Sequence, residues 1–325
     1  MKRILLLLLL LTALPCAAAD DVNLGTPIDS ALGEVPYNYA RINTAEDETA
    51  GMYYDLDAAV KGEDPAVTLE YGNMRYLSYT NSAKVDGNFY AQSKSGMWMR
   101  CSPGYTAHEP YGRTFEGTPS DLGWVVRETG LSRWAGTLPE ETAALAARGT
   151  VFPIYEETEQ YGTTWYRVGT EQWIDGGSIR VIQWDKLPEV DSDGRVIFID
   201  LVQQILVLYE DGEPVYASLI ASGVEDFTRP GMWQIETKLE SEDMTGALKS
   251  DRSDYFYLED VPFTMYFDEE RAIHGIYWPA QLGFQQSHGC INMTIADAHW
   301  LFDRVEVGDK VVISDQEPVT RDRVK

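Results

Sequence analysis

The run Ser287-His288-Gly289-Cys290-Ile291-Asn292 sets a cysteine two residues after one histidine, and His274-Gly275 sets a second histidine 16 residues before it. A thiol near neutral pH is only partly thiolate, and the thiolate is the nucleophile. A histidine within hydrogen-bond reach takes the thiol proton and makes the sulfur competent to attack. His274 is the better base, because it comes from the end of another strand, as the base in such dyads usually does. His288 lies so close to Cys290 on a tight turn that its ring is aimed away or across the site. The Gly275 carbonyl is placed to orient the His274 ring from behind. Gly289 lets the backbone approach a substrate carbonyl, and the amides of Gly289 and Cys290 are candidates for an oxyanion hole. This is the chemistry of acyl transfer through a thioester. Zinc is the rival reading, and it needs three or four ligands; His274, His288 and Cys290, with His299 on a later helix, are the available set. A buried cysteine among satisfied histidines is the structural alternative.

The elements that must position these groups read mainly as β. Arg195 to Asp200 and Gln204 to Tyr209 are aliphatic and β-branched runs. Asp211-Gly212 turns the second into Pro214 to Ala221. Further strands are expected at Met232 to Thr237, Phe263 to Phe267 and Ala272 to His274. Thr294 is a helix N-cap with Asp297 three positions on, and Ile295, Ala298, Leu301, Phe302 and Val305 give that helix a buried face. Cys290 therefore sits in a short loop just before a helix. Glu236 to Asp260, acidic and turn-rich, reads as a lid over the site or as a surface insertion.

Upstream the chain is organised as a polar leader (20–35), a Tyr-, Gly- and Asp-rich β region (36–127), a helical connector (128–149), a second β unit (150–186), a linker (187–194), the domain bearing Cys290 (195–315) and a tail (316–325). Strands are expected at Tyr37 to Ile42, Asn88 to Gln92 and Gly123 to Val126, then at Val151 to Tyr155, Thr164 to Val168 and Glu171 to Ile174. The connector reads as a helix begun by Thr137-Leu138-Pro139-Glu140 and ended by Gly149. His108 reads as an exposed loop residue.

Met1-Lys2-Arg3, the apolar run Ile4 to Leu14 and Ala17-Ala18-Ala19 form a secretory signal peptide over 1–19. The chain is thus expected to be exported, to the periplasm, cell wall or medium. Cys16 offers a lipid anchor instead, against which Pro15 speaks. With 26 basic and 52 acidic residues the formal charge is −26, a surface that repels nucleic acid and anionic membrane. Exported proteins usually pair their cysteines, yet a Cys101–Cys290 disulfide would consume the nucleophile. Both are therefore expected to be free.

His-Gly, a gap, then Ser-His-Gly-Cys-Ile-Asn resembles the signature of L,D-transpeptidases with a YkuD-type catalytic domain. Gly223, Thr228, Pro230-Gly231 and Trp233-Gln234-Ile235 resemble a second run of that family, departing from it where Arg229 separates Thr228 from Pro230; Gly283 also fits. The resemblance covers about residues 195 to 315. It implies a β-sandwich-like catalytic domain with a short helix after the nucleophile, no cofactor or metal, peptidoglycan stem peptides as substrates and carbapenems as covalent inhibitors. By that resemblance Cys290 attacks the diamino-acid carbonyl of a tetrapeptide stem, D-alanine leaves, and an amine of a second stem accepts the acyl group in a 3→3 cross-link. His274 is the base, Ser287, His288, Gly289 and Gly275 shape the site, Asn292 braces the loop, and Tyr266 and Trp278 are candidate pocket walls. Water as acceptor would make the same thioester a carboxypeptidase or cross-link hydrolase. An inactive wall-binding protein is the reading from another class. The Trp165-Tyr166-x-Val168 pattern with Trp173-Ile174 resembles bacterial SH3-like modules. Phe89-Tyr90, Trp98 and Gly123-Trp124 echo it, so one or two small SH3-like barrels are expected before the catalytic domain.

Overall fold

The structure is a computed structural model describing residues 22–316, apart from 44, 46–47, 73, 105–107, 188–192 and 248. The expected signal peptide, Cys16, most of the expected linker and most of the expected tail lie outside the described residues.

The chain is mainly β, built on two large sheets. The first has seven strands in the order Thr26–Pro27, Arg113–Thr114, Glu213–Leu219, Ile205–Glu210, Arg195–Asp200, Lys310–Ser314, Gly231–Gln234. Both faces of this sheet are buried, which is why its strands read as unbroken aliphatic runs rather than alternating ones. Val196, Phe198, Val207 and Leu219 point into one core, while Ile197, Ile199, Leu206 and Leu208 point into another. The second core lies between this sheet, the helix Ile295–Arg304 and the next sheet.

The second sheet runs Asn38–Ile42, Trp98–Pro103, Asn88–Ser93, Met74–Val85, Phe256–Asp268, Arg271–Ile276, Ile291–Thr294, with Thr237–Gly246 also on Phe256–Asp268. It crosses the expected boundary at the linker: Met74, Arg75 and Tyr76 pair in parallel with Phe256, Tyr257 and Leu258. Four strands from the 36–127 region thus extend the sheet that carries the neighbours of Cys290, and Thr26–Pro27 and Arg113–Thr114 extend the other. The region from Glu236 onward is not an irregular insertion. Thr237–Gly246 and Phe256–Asp268 form a long antiparallel hairpin.

A smaller β module holds Leu122–Val125, Val151–Pro153 and Ile179–Ile182 in one sheet and Glu156–Gln160, Thr163–Gly169 and Gln172–Asp175 in another. Val125, Ile154, Tyr166, Val168, Ile174 and Ile179 form its own core. The strand expected at Gly123 to Val126 belongs to this module, because its backbone pairs with Val151–Pro153 and Ile179–Ile182.

The helix expected over 137–147 is not formed. Leu145–Ala146 pairs with Thr129–Gly130 instead, and Leu131 N donates to Ala144 O at 2.9 Å. So short an Ala-rich segment cannot offset helix nucleation, and strand pairing decides its state. The helix Ile295–Arg304 forms as its pattern requires. Thr294 Oγ1 accepts from Asp297 N at 3.1 Å and donates to Asp297 Oδ2 at 2.7 Å.

Asp297 does more than complete that cap. Fully buried, it accepts from Tyr111 N at 3.1 Å, Gly112 N at 2.8 Å and Tyr216 Oη at 2.9 Å. Burial pushes its carboxyl up, and these donors pull against that rise. Replacing it with Ala strands two amides and a phenol in the core. Asp297→Ala is expected to lower unfolding free energy by about 3 kcal/mol, and Asp297→Asn by less, as read from urea melts.

Candidate active site

The site is built on the parallel pairing of Arg271–Ile276 with Ile291–Thr294, in which Ile273 faces Ile291 and His274 faces Asn292. Side chains alternate across a strand. Ile273, Ile291 and Met293 enter the core between the sheets, so His274 and Asn292 occupy the opposite face. Cys290 lies at the bend one residue before Ile291, and its thiol is held at the backbone of Ala272, two residues before His274 on the paired strand. Tyr266 faces Ala272 across the next pairing and joins the row. Its phenol is pushed up to about 12, by burial first and then by the acids Glu242 and Glu270 and the Cys290 thiol nearby.

Cys290 is half-buried and free, and Cys101 is free and buried in the core of the amino-terminal strands. The Cys290 thiol addresses Glu270 O at 3.9 Å. Burial raises its pKa, while the Ala272 backbone and the Arg271 guanidinium lower it. His274 is buried, with Nδ1 3.0 Å from Gly275 O. A carbonyl only accepts, so Nδ1 carries the proton and Nε2 is the lone-pair nitrogen of the neutral ring. Burial pushes this imidazole down to about 4. At neutral pH the resting pair is therefore thiol and neutral imidazole.

Ser287 and Gly289 shape the turn before the thiol. Ser287 Oγ donates to Cys290 O at 2.6 Å and accepts from Gly289 N at 3.1 Å. The Gly289 amide is thus engaged within the turn rather than open to an oxyanion. Gly289 has φ +128, a conformation that favours glycine. Gly223 approaches it so closely that a Cβ there would lie 2.8 Å from Gly289 Cα. Thr228 Oγ1 staples the contact, accepting from Gly223 N and donating to Gly289 O, each at 2.8 Å. The Gly223/Thr228 spacing is explained by this staple.

His288 points elsewhere. Its Nε2 lies 3.4 Å from Asp254 Oδ2, and its ring packs on Phe256, 5.5 Å between centroids. Both partners come from the tip and return strand of the long hairpin, which therefore closes against the nucleophile's loop. Trp278 is buried, 5.8 Å from the His274 ring, and belongs to the core on that side. His299 Nδ1 faces Leu32 O at 2.8 Å, on the helix rather than in the site. His108 is not exposed: it is half-buried with Nε2 3.2 Å from Trp278 O, because the 108–112 stretch is folded onto the domain that bears Cys290.

The segment so arranged coincides with a known domain. Residues 194–313 match the YkuD family, the L,D-transpeptidase catalytic domain. A curated relative, YciB of Bacillus subtilis (strain 168), is named as a candidate L,D-transpeptidase; it is 26% identical over 151 residues, 41% of this chain and 75% of its own length. The L,D-transpeptidase of Stackebrandtia nassauensis is 24% identical and is matched over 42% of this chain and 62% of its own, with a TM-score of 0.33. That of Xylanimonas cellulosilytica is 25% identical over 39% and 64%, also at 0.33. The chain thus spans less than two thirds of either solved protein, and the likeness lies in the L,D-transpeptidase domain.

Several neighbours of the thiol carry no motif and escape sequence reading. Arg271 lies beside Gly289, donates to Phe227 O and reaches Asp268 at 3.4 Å. Asp268, buried, also receives Arg229 Nε at 2.8 Å. Arg229, the residue that departs from the family run, therefore has a partner in this acid.

The depressed imidazole has a consequence for stability. The unfolded His274 binds a proton near pH 6.5 and the folded one only near 4, so its contribution is full above 6.5 and is lost as pH falls toward 4. The loss from this group is roughly 3 kcal/mol. Urea melts between pH 7 and 4.5 should fall less steeply in His274→Gln than in the parent.

Proposed function

We propose that this protein is an exported L,D-transpeptidase that cross-links peptidoglycan through a thioester on Cys290. The observation that supports the reading is the parallel register of Arg271–Ile276 with Ile291–Thr294, in which His274 pairs with Asn292, two residues after Cys290. On it, the Cys290 sulfur attacks the carbonyl of the third stem residue, a diamino acid, as His274 Nε2 takes the thiol proton. The amide bond to the terminal D-alanine breaks, and that proton leaves on the D-alanine amine. An amine of a second stem then attacks the thioester, loses a proton to His274 and restores the thiol, leaving a 3→3 cross-link. With the Gly289 amide held by Ser287, the Cys290 amide is the candidate oxyanion donor. Ser287 and Gly289 hold the turn, and Gly275 fixes the tautomer of His274. Asn292 fixes the register through its backbone, pairing with Ala221 on its other side. Tyr266 lines the thiol's face, Trp278 backs the imidazole, and His288 fastens the hairpin over the site.

Purified disaccharide-tetrapeptide incubated with the mature protein should give dimers lacking one D-alanine, read by mass spectrometry, and Cys290→Ala should give none. Free tripeptide without dimers would make water the acceptor and overturn the transpeptidase reading. A carbapenem should leave one adduct on the parent and none on Cys290→Ala. His274→Gln should slow that acylation about 100-fold, the scale of lost general-base help. Because the resting thiol is protonated and the imidazole is neutral down to about pH 4, the parent's acylation rate should be nearly flat between pH 6.5 and 8 and fall as the pH drops toward 4.

A further inference from the structure

The small β module touches the loop that delivers the nucleophile, and it does so with arginines. Arg148 Nη2 donates to Leu282 O at 2.7 Å, and its Nη1 donates to Val126 O within the module. Arg180 Nε donates to Gly283 O at 2.8 Å, while its Nη1 reaches Ile179 O at 3.0 Å. The next residue, Phe284, has its ring held between two guanidiniums, Arg127 at 4.8 Å and Arg180 at 4.9 Å from its centroid. Gly283 itself has φ +94, and a Cβ there would lie 2.4 Å from Val126 Cγ1, so only a glycine lets the loop pack this closely on the module's Val126 side chain.

Among the described residues neither Arg148 nor Arg180 forms an ion pair with a carboxylate. In a chain with twice as many acids as bases, two guanidiniums directed at backbone carbonyls of one loop are a specific use of scarce cations. A planar guanidinium fixes direction as well as charge, which a carbonyl row can exploit. The loop's other side is held by the catalytic domain. Gly283 N donates to Ile220 O at 2.7 Å, and Gln286 N and Ser287 N donate to Ser222 O at 2.9 and 3.0 Å. Ser287 in turn grips Cys290 O and Gly289 N. An unbroken chain of hydrogen bonds therefore runs from the module's arginines to the turn that aims the thiol.

From this we infer that the module spanning Leu122–Ile182 is part of the catalytic apparatus, with Arg148 and Arg180 acting as positioning residues for the 282–289 loop. They do not touch the substrate. They fix the approach of the Cys290 sulfur and amide to an acyl carbonyl, a geometry in which small displacements cost rate steeply.

The test compares the full chain with Arg148→Ala/Arg180→Ala, and with Phe284→Leu, which removes the clamped ring without altering the module. Three readouts separate positioning from mere folding: amide hydrogen exchange of 282–290 against 150–182, the carbapenem acylation rate, and alkylation of Cys290 by iodoacetamide, which needs an accessible thiol but no oxyanion alignment. The expected result is faster exchange in the loop, unchanged exchange in the module, acylation slowed about 10-fold or more, and alkylation within about twofold of the parent. Loop exchange at the parental rate, or acylation and alkylation falling together, overturns the inference. Should the arginine variant unfold the module, Phe284→Leu decides by the same criteria. A parent that no carbapenem acylates would sink the acyl-transfer reading, and loop exchange would still decide the clamp.

Discussion

Everything about the site depends on one parallel register. If Ile291 faced His274 instead of Ile273, Ile291 would turn out of the core and onto the face of the imidazole. The register is held because Ile273, Ile291 and Met293 have a core to fill, so burying apolar surface and aiming the thiol are one event. The same strand is held from its far side through the bridge between Ala221 and Asn292. The sheet and its cross-bridge hold the strand that follows the thiol from both sides.

The sheets also explain why the amino-terminal half is present in the fold at all. Met74–Tyr76 continues the sheet past the hairpin strand, and Tyr39, stacked on Tyr277 at 3.4 Å between centroids, packs the two halves face to face. Tyr71 donates to Asp251 O at 2.8 Å and Glu70 receives Arg252, both at the hairpin tip that also holds His288. The upstream segment thus braces the same hairpin tip that holds His288.

Much of the site was legible because its chemistry is local in sequence. A cysteine two residues from a histidine, a His-Gly pair and a Thr-capped helix are short patterns with direct structural meaning. The aliphatic runs at Arg195–Asp200 and Ile205–Glu210 announced strands for the same reason. Partners that meet across long stretches of chain were not legible. Nothing near Asp297 points to Gly112, nothing near Gly283 points to Arg180, and Met74–Val85, too polar along its outer half to read as a strand, is set by pairing. The Ala-rich segment before Gly149 misled in the opposite way. Its propensity is helical, but it is too short for propensity to outweigh pairing with Thr129–Gly130.

The Lys310–Ser314 strand is interior to its sheet, seated between Arg195–Asp200 and Gly231–Gln234, yet it is the last strand among the described residues. The helix whose Asp297 satisfies the amides of Tyr111 and Gly112 lies just ahead of it. A growing polypeptide therefore leaves Arg195–Asp200 and Gly231–Gln234 unjoined until Lys310–Ser314 has been made. Early segments wait with open strand edges and unpaired amides, so folding is a late and collective event governed by distant contacts. Without Lys310–Ser314, Gly231–Gln234 would lose its partner strand, and the core that Ile273, Ile291 and Met293 fill from the other sheet would lose Val311 and Ile313.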